Sequence, residues 1–138
     1  MKARHFLTLQ DLSAEELGQI LSRALKIKSS GDPKPPPLSG QTWGLLFLKN
    51  STRTRVSFEV GIRRLGGSSL FLDSSTLQVG RGESLADTSR ILSGYLNGLI
   101  VRTFGQSDLD ELAASSSIPI VNALTDQWHP AQALADLL

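Results

Sequence analysis

The sequence has no cysteine in 138 residues. That excludes a disulfide framework, a thiolate nucleophile and a cysteine metal site. It also fits a reducing compartment. Histidine is nearly as scarce. Only His5 and His129 occur, and His5 has no companions at ligand spacing, so no metal centre is expected. Neither sign of charge dominates: 14 basic residues against 13 acidic leave a formal charge of +1. Nothing in that balance calls for nucleic acid or a membrane surface as partner. No apolar run approaches membrane-spanning length, and residues 1–6 lack the apolar core of a secretory leader. A cytoplasmic protein is the expectation. The glycine patterns of nucleotide-binding loops are absent as well. What remains is a globular composition, 40% hydrophobic and 20% charged. It suffices for one domain with a core and is small for a two-substrate enzyme.

The chain is organised around Phe47-Leu48-Lys49-Asn50-Ser51-Thr52-Arg53-Thr54-Arg55. An apolar run from Gly44 to Leu48 reads as a buried strand, and Val56 to Leu65 has helical spacing. Between them lie three hydroxyl residues interleaved with two arginines. The first turn of a helix offers backbone N–H groups without partners and a partial positive charge. Ser51 suits the N-cap, Thr52 and Thr54 add hydroxyls, and Arg53 adds a fork that fits phosphate or carboxylate. The segment reads as an anion cradle, most naturally for phosphate. The competing reading is a capped helix with solvated arginines.

The remaining elements follow in order. Ser13 with Glu16 forms a capping box, and the spacing predicts an amphipathic helix over 13–28 with its apolar stripe on the core. Residues 29–37, rich in proline, form a surface connection. Strands are predicted over 42–48, 68–72, 98–101 and 118–121, with Pro119 placing the last at an edge or strand start. Helices are predicted over 52–65, stopped by Gly66-Gly67; over 83–95; over 108–116, capped by Ser107; and from Pro130 onward. Residues 73–82 and 122–129 are loops. This alternation predicts an α/β fold: three layers, with a four-stranded parallel sheet and helices on both faces. In such sheets functional groups gather beyond the carboxyl ends of the strands. The cradle, the Gln78/Arg81 loop, Arg102 and His129 each follow one strand, so all fall on one edge.

Arg102 ends an apolar run and needs a partner there, either a carboxylate or a ligand. Pro130 puts His129 at a helix mouth, with Gln132 one turn on. The positive end of the helix dipole keeps such a histidine neutral. A neutral histidine can donate to a carbonyl oxygen that gains negative charge; the plainer reading is a polar N-cap. Ser51 has no histidine–carboxylate relay and is not a nucleophile candidate. A phosphate cradle beside an oxyanion site suits a small acyl phosphate attacked by an amine.

Ser51-Thr52-Arg53-Thr54-Arg55 with Val56-Ser57-Phe58-Glu59 resembles the first signature of the carbamoyltransferases. His129-Pro130-Ala131-Gln132 with the following Ala133 to Leu138 resembles the second, and Gly82 to Thr88 matches between them. Residues 4–13 and 122–128 resemble the ornithine branch of that family. The resemblance implies transfer of a carbamoyl group from carbamoyl phosphate to ornithine, giving citrulline and phosphate in arginine biosynthesis, with no metal or organic cofactor. Carried over by motif, Ser51, Thr52, Arg53 and Thr54 hold the phosphate. Arg102 bridges phosphate and carbonyl oxygen, His129 binds that oxygen, and Gln132 binds the carbamoyl amide. Arg53, Arg102, His129 and Gln132 form the expected catalytic set. Family sites are completed by a neighbouring subunit of a homotrimer, and Gln78 aligns with the contributed position. Arg81 sits where family members vary. Arg55 and Glu83 are expected in structural ion pairs. The family has a second, amino-acid-binding domain. Residues 1–138 correspond to the carbamoyl-phosphate domain alone, so full catalysis by this chain is not expected. An aspartate-type or other-amine carbamoyltransferase, or a binding-only or trimerising module without turnover, remains the alternative.

Overall fold

The computed structural model describes residues 3–75, 77, 78 and 82–138. After a single 3-10 turn at Leu9–Asp11, five helices and four strands alternate: α1 (Ala14–Ser30), β1 (Thr42–Phe47), α2 (Thr52–Arg64), β2 (Ser68–Asp73), α3 (Leu85–Ser93), β3 (Gly98–Arg102), α4 (Gln106–Ser115), β4 (Ile120–Leu124) and α5 (Pro130–Asp136). The strands form one sheet in the order β2-β1-β3-β4, and every pairing is parallel. The α/β, three-layer expectation is met.

Period-two alternation splits the sheet's side chains between two cores. Leu46, Leu99, Val101 and Ile120 point to one face, where Leu109, Leu112 and Ala113 of α4 close over them with Leu85 and Leu92 of α3. Leu45, Phe47, Ile100 and Ala123 point to the other, under Ile62 and Phe58 of α2. A parallel sheet requires this covering of both faces. The register sets the upper edge. Phe47 pairs with Asp73 on one side and with Arg102 on the other, so β2, β1 and β3 end level. The chain leaves β1 toward β2 and leaves β3 toward β4. Its connections therefore diverge between β1 and β3, and that divergence is where open α/β sheets form their crevice.

Four local expectations are corrected. Ser107 does not cap α4: the helix starts at Gln106, with Gly105 as N-cap and no side-chain cap bond. β4 runs from Ile120 to Leu124 rather than over 118–121. Pro119 has no N–H for the ladder, and Asn122, read as loop, is buried with its Nδ2 donating to the Leu7 carbonyl at 2.8 Å. α3 runs over Leu85–Ser93 rather than over 83–95, leaving Tyr95 beyond its end and 82% exposed. The stripe of α1 does not reach the core: none of its residues is buried, and Ile20 and Leu25 are exposed. Both faces of the sheet are already filled by other helices, so α1 lies outside the two clusters. Its Ser13–Glu16 capping box does form. β4 lies at an edge, as Pro119 suggests, and Phe6 bridges to Val121 along that edge.

Trp43 and Gly98 are register partners, and a Cβ on Gly98 would stand 2.4–2.6 Å from ring atoms of Trp43. A flat ring cannot yield as a flexible side chain can. Gly98→Ala is expected to destabilise the fold by about 1–3 kcal/mol. A urea melt should show a lower midpoint with an unchanged slope.

Candidate active site

At the divergence of β1 and β3, the strand-to-helix turn of residues 48–51 brings Ser51 to the N-cap of α2. Ser51 Oγ accepts from the backbone N–H of Thr54 at 3.3 Å. The N–H groups of Thr52 and Arg53, in the same first turn, have no intrahelical acceptor. They leave a donor pair at the positive end of a 13-residue helix.

Level with this turn, Arg102 leaves the end of β3. Its Nη1 donates to Thr54 Oγ1 at 3.3 Å, while its Nε is buried without a hydrogen-bond partner among the described residues. No carboxylate lies within ion-pair distance of Arg53 or Arg102 among the described residues. The carboxylate-partner reading of Arg102 thus finds no support there. The other arginine of the stretch behaves differently: Arg55 Nε is 3.0 Å from Glu59 Oε1 and stacks 3.5 Å over the Phe71 ring, in line with the structural role expected. Glu83 accepts from the Thr88 hydroxyl at 3.0 Å, a hydroxyl where an ion pair was expected.

His129 and Gln132 enter from the fourth strand's side. Pro130 is the first residue of α5, and His129 caps that helix, its Nδ1 accepting from the Gln132 backbone N–H at 3.2 Å. With Nδ1 an acceptor, the single proton of a neutral imidazole sits on Nε2. Burial, and then the positive charge of Arg102, hold the His129 pKa below its ordinary value. Asp136 pulls the other way more weakly.

A cavity of about 500 Å³ joins these parts, lined by Ser51, Arg53, Thr54, Arg102, His129 and Gln132, with Ser57 and Phe58 of α2 and two alanines of α5. Six of the eight residues expected at the site therefore share one wall. Thr52 faces a neighbouring cavity with Asn50, Arg55, Glu59 and Phe71. Gln78 is exposed and lines neither cavity. Arg81 lies outside the described residues. Ser57 and Phe58 were not read as site residues; their spacing of three and four from Thr54 was the signal, since it places them on the same helix face. A larger groove of about 800 Å³ runs along α1, but its Arg4 and Glu16 neutralise each other. Among the described residues, no group of three or more metal-ligating side chains occurs.

Residues 4–138 match the model of the aspartate/ornithine carbamoyltransferase carbamoyl-P binding domain. The chain belongs to this family. Among carbamoyltransferases, the ornithine carbamoyltransferase of Oceanobacillus iheyensis is 51% identical over 139 residues, covering 99% of this chain and 43% of the relative. That of Bacillus subtilis is 49% identical over 135 residues, covering 98% of this chain and 42% of the relative. In solved structures the same fold recurs. The anabolic ornithine carbamoyltransferase of Campylobacter jejuni superposes with a TM-score of 0.90 at 41% identity, over 99% of this chain and 44% of that one. The Thermus thermophilus ornithine carbamoyltransferase gives 0.91 at 34% identity, over 99% and 47%. The chain thus spans less than half the length of the relatives it matches.

The depressed pKa of His129 has a definite sign for stability. The unfolded imidazole, with its ordinary pKa near 6.5, binds protons more readily than the folded one. The His129 contribution is therefore whole above about pH 6.5 and is lost as pH falls from there through the lower folded value. NMR titration of the ring should find His129 below the ordinary histidine value. Arg102→Gln should raise it, because the neighbouring positive charge is gone.

Proposed function

We propose that this chain is the carbamoyl-phosphate-holding half of an ornithine carbamoyltransferase. The observation that carries the reading is the half-buried Arg102 guanidinium with its buried Nε. It has an unpartnered Nε and no carboxylate among the described residues, and it faces the open first turn of α2 across one cavity. Such a charge is costly to bury unless an anionic ligand completes it. The names of the relatives above favour ornithine as the amine over aspartate.

In this reading the phosphate sits on the first turn of α2. The N–H groups of Thr52 and Arg53, the hydroxyls of Ser51 and Thr54 and the guanidinium of Arg53 converge on its oxygens. Arg102 reaches both the phosphate and the carbonyl oxygen. His129, neutral, donates from Nε2 to the carbonyl oxygen, and Gln132 takes the carbamoyl amide. The δ-amine of ornithine then attacks the carbonyl carbon. Negative charge builds on the carbonyl oxygen, where Arg102 and His129 stabilise it. The C–O bond to phosphorus breaks, the phosphate departs with the electron pair, and the amine releases its proton, giving citrulline and phosphate. On this reading the protein acts in arginine biosynthesis, in the cytoplasm. Gln78, exposed and outside the cavity lining of its own chain, belongs to the site of a neighbouring subunit in a homotrimer. A second, amino-acid-binding domain orients the ornithine. Positioning contributes about 7–11 kcal/mol to such a two-substrate reaction, so residues 1–138 alone bind carbamoyl phosphate without efficient turnover.

Calorimetric titration with fresh carbamoyl phosphate checks the reading. Saturable binding is expected, weakened about 10–100-fold in Arg53→Ala, the equivalent of one hydrogen bond to a charged group. A folded protein that takes up no carbamoyl phosphate would remove the cradle from this chain.

A further inference from the structure

We infer that Asp136 is a positioning residue for Gln132, turning its side-chain carbonyl into the cavity and so selecting a carbamoyl group over a bare phosphate. The inference rests on the carbamoyl-phosphate reading above. Gln132 Nε2 donates to Asp136 Oδ1 at 2.8 Å, one helical turn on. An ionised carboxylate only accepts. The contact therefore decides which end of the glutamine amide faces it. The NH2 is held by Asp136, and Oε1 is left without a partner among the described residues on a side chain that lines the cavity.

That orientation has a chemical consequence. The amide end of a carbamoyl group offers N–H donors, whereas the oxygens of an ionised phosphate are acceptors. An inward Oε1 accepts from the first and repels the second. A freely turning glutamine would present NH2 instead and would donate to any phosphate oxygen. Asp136, which touches no ligand in this reading, would thus set the preference of a residue that does.

The competing account is an ordinary i,i+4 surface pair that only supports α5. The two accounts differ in sign. Asp136 carries negative charge near an anion site. If it only supports the helix, Asp136→Ala should leave the preference between two anions unchanged and tighten both. If it orients Gln132, the preference itself should fall.

The measurement is paired calorimetry of the whole chain with carbamoyl phosphate and with inorganic phosphate, for the wild type, Asp136→Ala and Asp136→Asn. Both side chains are exposed, so alanine at 136 leaves no buried gap. The ratio of phosphate Kd to carbamoyl-phosphate Kd is expected to fall about 3–10-fold in Asp136→Ala, the loss of one neutral hydrogen bond. Asparagine keeps an acceptor at the same reach and should restore most of the ratio. In ¹H–¹⁵N spectra without ligand, the Gln132 NH2 pair should move in the alanine variant and return toward its native position in the asparagine variant. An unchanged ratio, or an alanine variant whose Gln132 NH2 signals stay in place, overturns the inference. A wild-type chain that binds both anions equally would instead overturn the carbamoyl-phosphate reading, and this inference with it.

Discussion

The level ends of three parallel strands govern this structure. Because Phe47 is in register with both Asp73 and Arg102, the turns that follow β1 and β3 leave the sheet at the same height. A parallel sheet buries both faces, so polar chemistry has only its ends to occupy. At this end, two helix N-termini and two guanidinium groups, of Arg53 and Arg102, meet over a single cavity. A slip of one residue in the β1–β3 register would turn Arg102 to the opposite face. It would then point into apolar packing, and the site would lose its central charge.

The site works by leaving groups incomplete. Four arginines elsewhere are matched, Arg4 with Glu16, Arg55 with Glu59, Arg64 with Asp32 and Arg90 with Asp87, and Arg23 and Arg63, unmatched among the described residues, do not line the cavity. Arg53 and Arg102 have no such match among the described residues, and both line the cavity. The same contrast holds for helix starts. Ser13 and Glu16 satisfy the start of α1 reciprocally, whereas Ser51 satisfies only one donor of α2 and leaves two for a ligand. Unsatisfied donors fixed in place beside a helix N-terminus suit an anion.

Much of this was legible in the sequence because strand and helix periods, caps and glycine stops act locally. The four strands, the cap at Ser51, Pro130 at the start of α5 and the common edge of the polar residues could all be read there. The misreadings arise where distant contacts decide. Asn122 reads as loop by its type, yet the backbone of residues 6 and 7 turns it into buried strand. The stripe of α1 is periodic enough for a core helix, but periodicity cannot tell whether a sheet face is still vacant. The contact between Gln132 and Asp136 could have been proposed from its spacing of four. Which amide end it fixes, relative to the cavity, required the fold.

The bridge between Phe6 and Val121 carries a consequence for how the chain assembles. Phe6 donates to the Ile120 carbonyl and receives from Asn122, both at 2.8 Å, and the His5 ring and the Leu7 carbonyl add two more bonds to the same two residues. The beginning of the chain is thus stitched to its fourth strand across 115 residues. During synthesis residues 5–7 must wait for these bonds until that strand has emerged. Closing so long a loop is a matter of entropy rather than of local preference. The edge beneath the His129 loop is therefore completed only after β4 exists, by a segment made well before it.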